Sequence, residues 1–218
     1  MAHSLTEENY MKAIYGLSQK SKGKISLSAL ANTLEVNAAS VVDMIKKLTD
    51  KKLINYDKVK GVKLTDKGSK VAINVVRNHR LWEVFLKEKL GYSWDVVHEI
   101  AEQLEHIKHD ELADRLDDFL GYPEYDPHGD PIPKANGELP KGATTLLSEI
   151  KTGEYCKVAA VKDTSTAFLQ YLEQLSVGIG TKIKVLEKIE FDGSVVIQLG
   201  KANLKTVSRK FAESLLVK

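Results

Sequence analysis

Apolar residues recur every three or four positions through the first fifty residues of the chain, which is the spacing of amphipathic helices. A first helix is predicted from Thr6 to Ser18, with the Thr6 hydroxyl capping its amino end. Two shorter helices are predicted from Ile25 to Leu34 and from about Ala38 to Asp50, and only a tight turn separates them. Two short helices joined by a tight turn predict a helix–turn–helix.

In the segment from Lys52 to Leu64 the pattern changes, and apolar and polar residues alternate. Apolar residues there form two short predicted strands on either side of the polar turn DKVKG. A hairpin that directly follows a helix–turn–helix predicts a winged helix. Residues 1–73 are therefore predicted to form a winged helix-turn-helix DNA-binding domain.

Helical spacing returns at Thr65 and persists through three predicted helices, at 65–90, at 94 to about 106 and at 109–120. The last of these ends at Gly121, as helices often do. These helices predict a helical domain at 74–121.

The remaining chain has a different character. All five prolines lie within residues 122–143, which predicts a linker. Residues 144–218 alternate short β-like runs with one helical stretch and predict a small SH3-like β-barrel. The expected fold is therefore mainly α with a small β domain at its carboxyl end.

Composition is that of a globular protein, with 43% hydrophobic and 28% charged residues. Cys156 is the only cysteine, which excludes an intramolecular disulfide and a cysteine-clustered zinc site. No apolar run approaches the length of a membrane span, and the first residues lack the apolar core of a signal peptide. We expect a cytoplasmic protein that makes no membrane contact.

Charge is distributed unevenly along the chain, although the net charge is only +2. Basic residues predominate in 1–80 and acidic residues in 81–140. A basic segment suits a polyanion and an acidic segment suits a cation, although chance clustering of surface charge gives the same pattern.

The predicted winged helix offers a surface for reading DNA, because the second helix of a helix–turn–helix presents its first residues to base edges. Small residues there permit close approach, and lysines at the wing suit phosphates. An acidic residue in this set counts against DNA binding, and a protein-binding winged helix with solvated lysines is the alternative. The candidate DNA-contacting residues are Ser28, Asn37, Ala38, Ala39, Ser40, Asp43, Lys47, Lys58 and Lys60.

Four of the six histidines lie between positions 79 and 109. His79 and Glu83 are four residues apart and share a helix face. A second face carries His98, Glu102, Glu105 and His106. Imidazoles and carboxylates from two helices can converge on a borderline or hard divalent cation, whereas a single such pair is usually plain surface.

Several stretches carry a resemblance to a known family. They are TEENYMKAIYGL, HRLWEVFL, HEIAEQLEH and YDPHGDPIP, together with the helix–turn–helix at 26–50. On these the chain resembles the diphtheria-toxin-repressor family of iron- and manganese-dependent regulators, over nearly its whole length. The resemblance implies a homodimer that binds a palindromic DNA operator, with a helical domain for metal binding and dimerisation.

The resemblance also implies two metal positions. One would use His79, Glu83 and His98. The other would use Glu102, Glu105 and His106, with a further ligand from the first helix at Asn9.

The sequence departs from the family at several of these positions. Iron sensors tend to have methionine and manganese sensors aspartate where this chain has Asn9. Glu102 stands where iron sensors have cysteine, and a hard carboxylate favours Mn²⁺ over Fe²⁺. Lys12 stands where some manganese sensors have glutamate, which argues against a binuclear cluster. The carboxyl-terminal ligands of iron sensors are not matched, and Asp163 is the only nearby carboxylate.

The expected function is a Mn²⁺-dependent DNA-binding regulator, a repressor of metal-uptake genes in which metal orders the homodimer. An iron-responsive regulator of the same family and a winged-helix regulator of a non-metal ligand remain alternatives. A peptide-binding SH3-like module is poorly supported by the few scattered aromatics. A metal-dependent hydrolase lacks an evident general base or substrate pocket, so we expect no enzymatic activity.

Overall fold

The computed structural model describes residues 3–20, 24–109, 111–200 and 203–218. The chain divides into two compact units. The first contains the chain up to His79 with Glu102–Leu116 and Pro133–Glu138, and the second contains the rest. Across the described ranges, no helix combines the length and apolar character that a membrane span requires.

The first unit begins with a winged helix, which confirms the predicted fold. Helices α1 (Leu5–Lys20), α2 (Leu27–Leu34) and α3 (Ala38–Asp50) precede a hairpin of β1 (Ile54–Asp57) and β2 (Gly61–Leu64). Their apolar faces meet in one core, which includes Met11, Ile14, Leu30, Val41, Leu48, Leu53 and Val62. This core fixes α3 relative to α1, so the orientation of the recognition helix depends on the first helix.

The start of α1 differs from the prediction, because Ser4 and not Thr6 is the cap. The Ser4 hydroxyl oxygen accepts from the Glu7 amide at 3.3 Å, and a Glu7 carboxylate oxygen accepts from the Ser4 amide at 3.1 Å. This reciprocal capping box satisfies two amides at the helix end. The later caps are side-chain oxygens of Ser26 on α2 and Asn37 on α3.

Three helices follow the wing: α4 (Asp66–Glu88), α5 (Val97–Leu104) and α6 (Leu112–Phe119). α5 was predicted to begin at Trp94, but Trp94 lies outside the helix. Its side chain is 6% exposed and packs in the core of the carboxyl-terminal sheet. The burial of this large ring in the second unit explains why the apolar pattern extended beyond the helix.

The carboxyl-terminal part of the second unit is a small antiparallel sheet, as predicted. Its strands are β3 (Thr145–Leu146), β4 (Tyr155–Val161), β5 (Lys182–Lys188), β6 (Val195–Leu199), β7 (Asn203–Val207) and β8 (Leu215–Val217), in the order β3-β8-β4-β5-β6-β7. Helices α7 (Thr166–Gln174) and α8 (Arg209–Ser214) cover its apolar face.

The stretch predicted as a linker, 122–143, contains a packed segment. Asp126, His128 and Ile132 are each 6% exposed or less. One Asp126 carboxylate oxygen accepts from the amides of His128 and Asp130 at 2.8 and 2.9 Å, and the Val161 amide donates to the His128 carbonyl oxygen. Prolines and glycines exclude regular helix and strand here, but local hydrogen bonds let the irregular chain be buried.

Candidate metal centres and nucleic-acid interface

The first group of candidate ligands surrounds Glu105, just after α5, and we call His79, Glu102 and Glu105 the Glu105 cluster. Their ligating atoms all lie within 4.8 Å of one another. Nδ1 of His79 is 2.6 Å from Oε2 of Glu105 and 3.7 Å from Oε1 of Glu102. The Glu105 side chain is fully buried. Two carboxylates and an imidazole at this spacing suit a divalent cation.

Helix α1 reaches the same region from the DNA-binding domain. Lys12 donates to Glu102 and to Oε2 of Glu105, the latter at 2.7 Å. Oε2 of Glu8, one turn earlier, is 2.7 Å from Nδ1 of His106. The candidate ligands are therefore joined to the first helix by side-chain contacts.

Two buried acceptor atoms in this region fit a bound cation. Oδ1 of Asn9 and Oε1 of Glu105 are buried, and neither has a hydrogen-bond partner among the described residues. Oε1 of Glu105 lies 3.4 Å from Nε2 of His106, which is a close approach without hydrogen-bond geometry. A buried acceptor with no donor is costly. A divalent ion held by carboxylate, amide and imidazole groups would relieve that cost.

A second group surrounds Glu83 in the other unit, and we call Glu83, Asp126 and His128 the Glu83 cluster. All three side chains are buried, and their ligating atoms lie within 4.8 Å of one another. Oε1 of Glu83 also approaches Nδ1 of His98 at 3.2 Å, although the His98 side chain is 54% exposed. The imidazole of His128 stacks on Trp94, with ring centroids 5.8 Å apart.

Two residues of the Glu83 cluster, Asp126 and His128, have raised pKa values. Burial raises the pKa of Asp126 to about 7, and the negative charges of Glu83 and Asp130 add to the effect. Burial lowers the pKa of His128, but hydrogen bonding and attraction to Glu83 more than offset it and leave the pKa raised. Perturbed pKa values of buried groups that lie close together are a common feature of functional sites.

The predicted metal residues thus lie within these two clusters or beside them. Glu83 and His98 are in contact, and His79 precedes Glu83 by one turn of α4 but contacts Glu105. Glu102 and Glu105 adjoin each other, whereas His106 contacts Glu8. Asp163 accepts from the Ser165 amide before α7.

Asp126 and His128 were not predicted as site residues. They lie in the motif YDPHGDPIP, where a carboxylate and an imidazole two residues apart were the available signal. The abundance of proline and glycine around them indicated a linker instead.

The predicted DNA-reading residues all lie on the surface. Each of the nine, from Ser28 to Lys60, is exposed. Oδ1 of Asn37 accepts from the Ser40 amide at 2.8 Å, so it caps α3. At the wing, the Asp57 carboxylate accepts from the amides of Val59 and Lys60, which shapes an exposed tip.

Lys47 is engaged by a buried acid on α1. Oε1 of Glu7, 1% exposed, lies 3.1 Å from Nζ of Lys47 and 2.6 Å from Nζ of Lys51. Burial raises the pKa of Glu7, but hydrogen bonds from Lys51, Lys47 and the Ser4 backbone more than offset it and lower the pKa to about 2. Consecutive residues of α1, Glu7 and Glu8, therefore contact the recognition helix and His106.

The Glu7 contacts predict a stabilisation of the fold that is lost at acidic pH. Glu7→Gln is expected to lower the free energy of unfolding by about 1–2 kcal/mol near neutral pH, a small effect because both lysines are partly solvated. The folded-state pKa is depressed below 4.5, so this stabilisation is complete above about pH 5 and is lost as the pH falls toward 2. Thermal unfolding of both proteins between pH 3 and 7 measures it, and a pH-independent difference would contradict the account.

A winged helix with an exposed recognition surface is here linked, through its first helix, to buried carboxylates and imidazoles. This arrangement defines a metal-dependent DNA-binding regulator. Family models described as "Iron dependent repressor, N-terminal DNA binding domain", "Iron dependent repressor, metal binding and dimerisation domain" and "FeoA domain" match residues 4–62, 65–134 and 145–218. The chain belongs to the diphtheria-toxin-repressor family of iron- and manganese-dependent transcriptional regulators.

Individual relatives support this assignment. The "HTH-type transcriptional regulator MntR" of Oceanobacillus iheyensis is 36% identical over 115 residues, which cover 53% of this chain and 77% of that protein. The "Iron-dependent repressor IdeR" of Mycobacterium tuberculosis is 33% identical over 59% of this chain and 55% of its own length. A solved "Manganese-dependent transcriptional repressor complex with manganese" is 34% identical, with a TM-score of 0.85 over 97% of this chain and 98% of that one.

Proposed function

We propose that the chain is a Mn²⁺-dependent repressor that binds a palindromic operator as a homodimer and controls genes for metal uptake. The observation that carries this proposal is the reach of α1. A helix of the DNA-binding domain contacts Glu105 and His106, two of the candidate metal ligands. The site and the DNA-reading surface are thereby parts of one connected structure.

The donor atoms favour a hard or borderline ion. Both clusters offer carboxylate oxygens and imidazole nitrogens, and Cys156 lies instead in the core of the carboxyl-terminal sheet. Oxygen-rich sets suit Mn²⁺, and the glutamate at position 102 supports Mn²⁺ over Fe²⁺. An iron-responsive regulator with the same residues is the alternative.

Asn9, Glu102, Glu105 and His106 would hold one ion. Glu83 and His98 would hold another, with His79 one turn earlier on α4 and with Asp126 and His128 as additional donors. A bound ion supplies positive charge that neutralises these carboxylates. Asn9 and Glu8 then anchor α1. The ion pairs of Glu7 with Lys47 and Lys51 connect α1 to the end of α3, so the position of α3 depends on that of α1.

Two recognition helices of a dimer held about 34 Å apart would read successive half-sites on one DNA face. The exposed amino end of α3 would face bases, and Lys58 and Lys60 would contact phosphates. A regulatory role needs no reaction at either cluster, so we propose no catalytic activity. DNA binding would take place in the cytoplasm.

The wing contacts can be measured by salt dependence. The double variant Lys58→Ala, Lys60→Ala is expected to weaken DNA binding about equally for all sequences. The slope of log affinity against log salt should become shallower by about 2 for each wing that contacts DNA, because two lysines are lost per wing and each lost phosphate contact removes about one released counterion. Fluorescence anisotropy at several salt concentrations gives the slope, and an unchanged slope would place the wing away from the backbone.

A cavity in the second unit favours the alternative of a non-metal ligand. It has a volume of about 590 Å³, and its lining includes Val84, Trp94, Pro127 and Val177. A regulator of an organic ligand would bind DNA equally well with Mn²⁺ and with chelator.

Selection of bound fragments from a random DNA pool tests the proposed function. Two parallel selections would contain either Mn²⁺ or a chelator. The proposal expects enrichment of an inverted repeat with Mn²⁺ only. Equal enrichment under both conditions, or a motif without inverted symmetry, would contradict it.

A further inference from the structure

The Glu105 cluster already contains a cation, the side-chain ammonium of Lys12. Its Nζ lies 2.7 Å from Oε2 of Glu105 and 3.3 Å from Nδ1 of His79, and it donates to Glu102 as well. These three partners are the residues whose ligating atoms converge within 4.8 Å. The ammonium therefore contacts Glu102 and Glu105, two of the four residues that are proposed above to hold one divalent ion.

The surroundings distinguish this lysine from an ordinary surface ion pair. The Glu105 side chain is fully buried and that of Lys12 is 21% exposed. Exposed ion pairs contribute little, whereas a buried carboxylate requires a compensating charge. An ammonium carries one positive charge and a divalent ion carries two, so the ion would balance the two carboxylates of the cluster more completely.

The lysine also joins two parts of the first unit. It belongs to α1 of the winged helix, and its partners lie on α4 and at the end of α5. A metal ion held by Asn9, Glu102 and Glu105 would likewise join α1 to the end of α5.

We propose that Lys12 is a tethered cation that competes with the divalent ion for the Glu105 cluster and so sets the metal concentration at which the protein responds. Without metal, the ammonium balances part of the negative charge of the cluster and holds α1 against it. Metal binding requires the ammonium to leave Glu102, Glu105 and His79. The inference rests on the proposed function, because it assumes that the cluster binds a divalent ion.

If Lys12 competes with the metal ion, Lys12→Met should destabilise the metal-free protein and strengthen its binding of Mn²⁺. Removing the charge should lower the melting temperature of the protein in chelator, because the buried carboxylate of Glu105 then loses its ammonium partner. It should also tighten Mn²⁺ binding by at least about tenfold, because a positive charge within hydrogen-bond distance of the ligand atoms is gone. A purely structural salt bridge predicts the first effect and unchanged or weaker Mn²⁺ binding.

Calorimetric titration with Mn²⁺ and thermal unfolding in chelator test the proposal on the full chain. Lys12→Arg keeps the charge and should retain the affinity of the wild type, and Lys70→Met removes an exposed lysine of α4 as the matched control. Mn²⁺ affinity of Lys12→Met within about threefold of the wild type would overturn the proposal, and so would an unchanged melting temperature. If the wild type binds Mn²⁺ and only the lysine variants fail these expectations, the proposed function stands. If the wild type binds no Mn²⁺, both fall.

Discussion

Replacing Glu105 by glutamine should abolish the effect of Mn²⁺ on DNA affinity. The coupling between metal and DNA in the wild type is expected to lie between about 5- and 150-fold, the usual range for linked sites. Glu105 is the residue on which the candidate site converges, since its two oxygens face His79, Lys12 and His106. Glutamine keeps the shape but loses the charge, so Mn²⁺ affinity should fall by at least about 100-fold.

Glu99→Gln on α5 is the matched control, because Glu99 is exposed and belongs to neither cluster. Fluorescence anisotropy with Mn²⁺ and with chelator, on one operator fragment, gives the ratio of affinities for each protein. We expect a ratio near one for Glu105→Gln and the wild-type ratio for Glu99→Gln. A wild-type ratio in Glu105→Gln would show that the metal response arises elsewhere.

Replacing Gly129 by alanine should destabilise the second unit by about 2–5 kcal/mol. Gly129 has a φ of +87°, where an L side chain is strained, and an added Cβ would lie 2.1 Å from the Ala159 carbonyl oxygen and 2.5 Å from the Ala160 Cα. Both are backbone atoms of β4, so the segment that carries Asp126 and His128 would have to move. Strain and overpacking together give the expected magnitude.

Gly142→Ala is the control for this change. It lies in the same proline-rich stretch, but an added Cβ there meets nothing within 4 Å. Its expected effect is neutral or a stabilisation below about 1 kcal/mol. Urea unfolding followed by tryptophan fluorescence measures both variants, because Trp82 and Trp94 lie in the second unit. Equal effects of the two substitutions would mean that residues 126–132 are not packed on β4.

Part of the fold could be predicted from the sequence, and the packed segment around Gly129 could not. Helical spacing and the polar turn DKVKG were sufficient to predict the winged helix, because its elements are regular and amphipathic. The packed segment at 126–132 has no period, and its burial depends on hydrogen bonds that Asp126 makes to local amides. Composition alone could not separate such a segment from a solvated linker.

The candidate site was predictable in its residue types and less so in its contacts. Spacing on α4 and α5 indicated which faces carry His79, Glu83, Glu102 and Glu105. It did not indicate that His79 would contact Glu105, because that depends on how the helices pack. The contacts of Lys12 with Glu105 and of Glu8 with His106 join positions 93 and 98 residues apart in the chain, for which a single sequence gives no signal.

The central claim is that a divalent ion and DNA bind to coupled sites on one chain. The most direct test measures the affinity of the wild-type protein for its selected operator with Mn²⁺, with Fe²⁺ under anaerobic conditions and with chelator. We expect binding at least about fivefold tighter with Mn²⁺ than with chelator, and tighter with Mn²⁺ than with Fe²⁺. Equal affinity with Mn²⁺ and with chelator would contradict it.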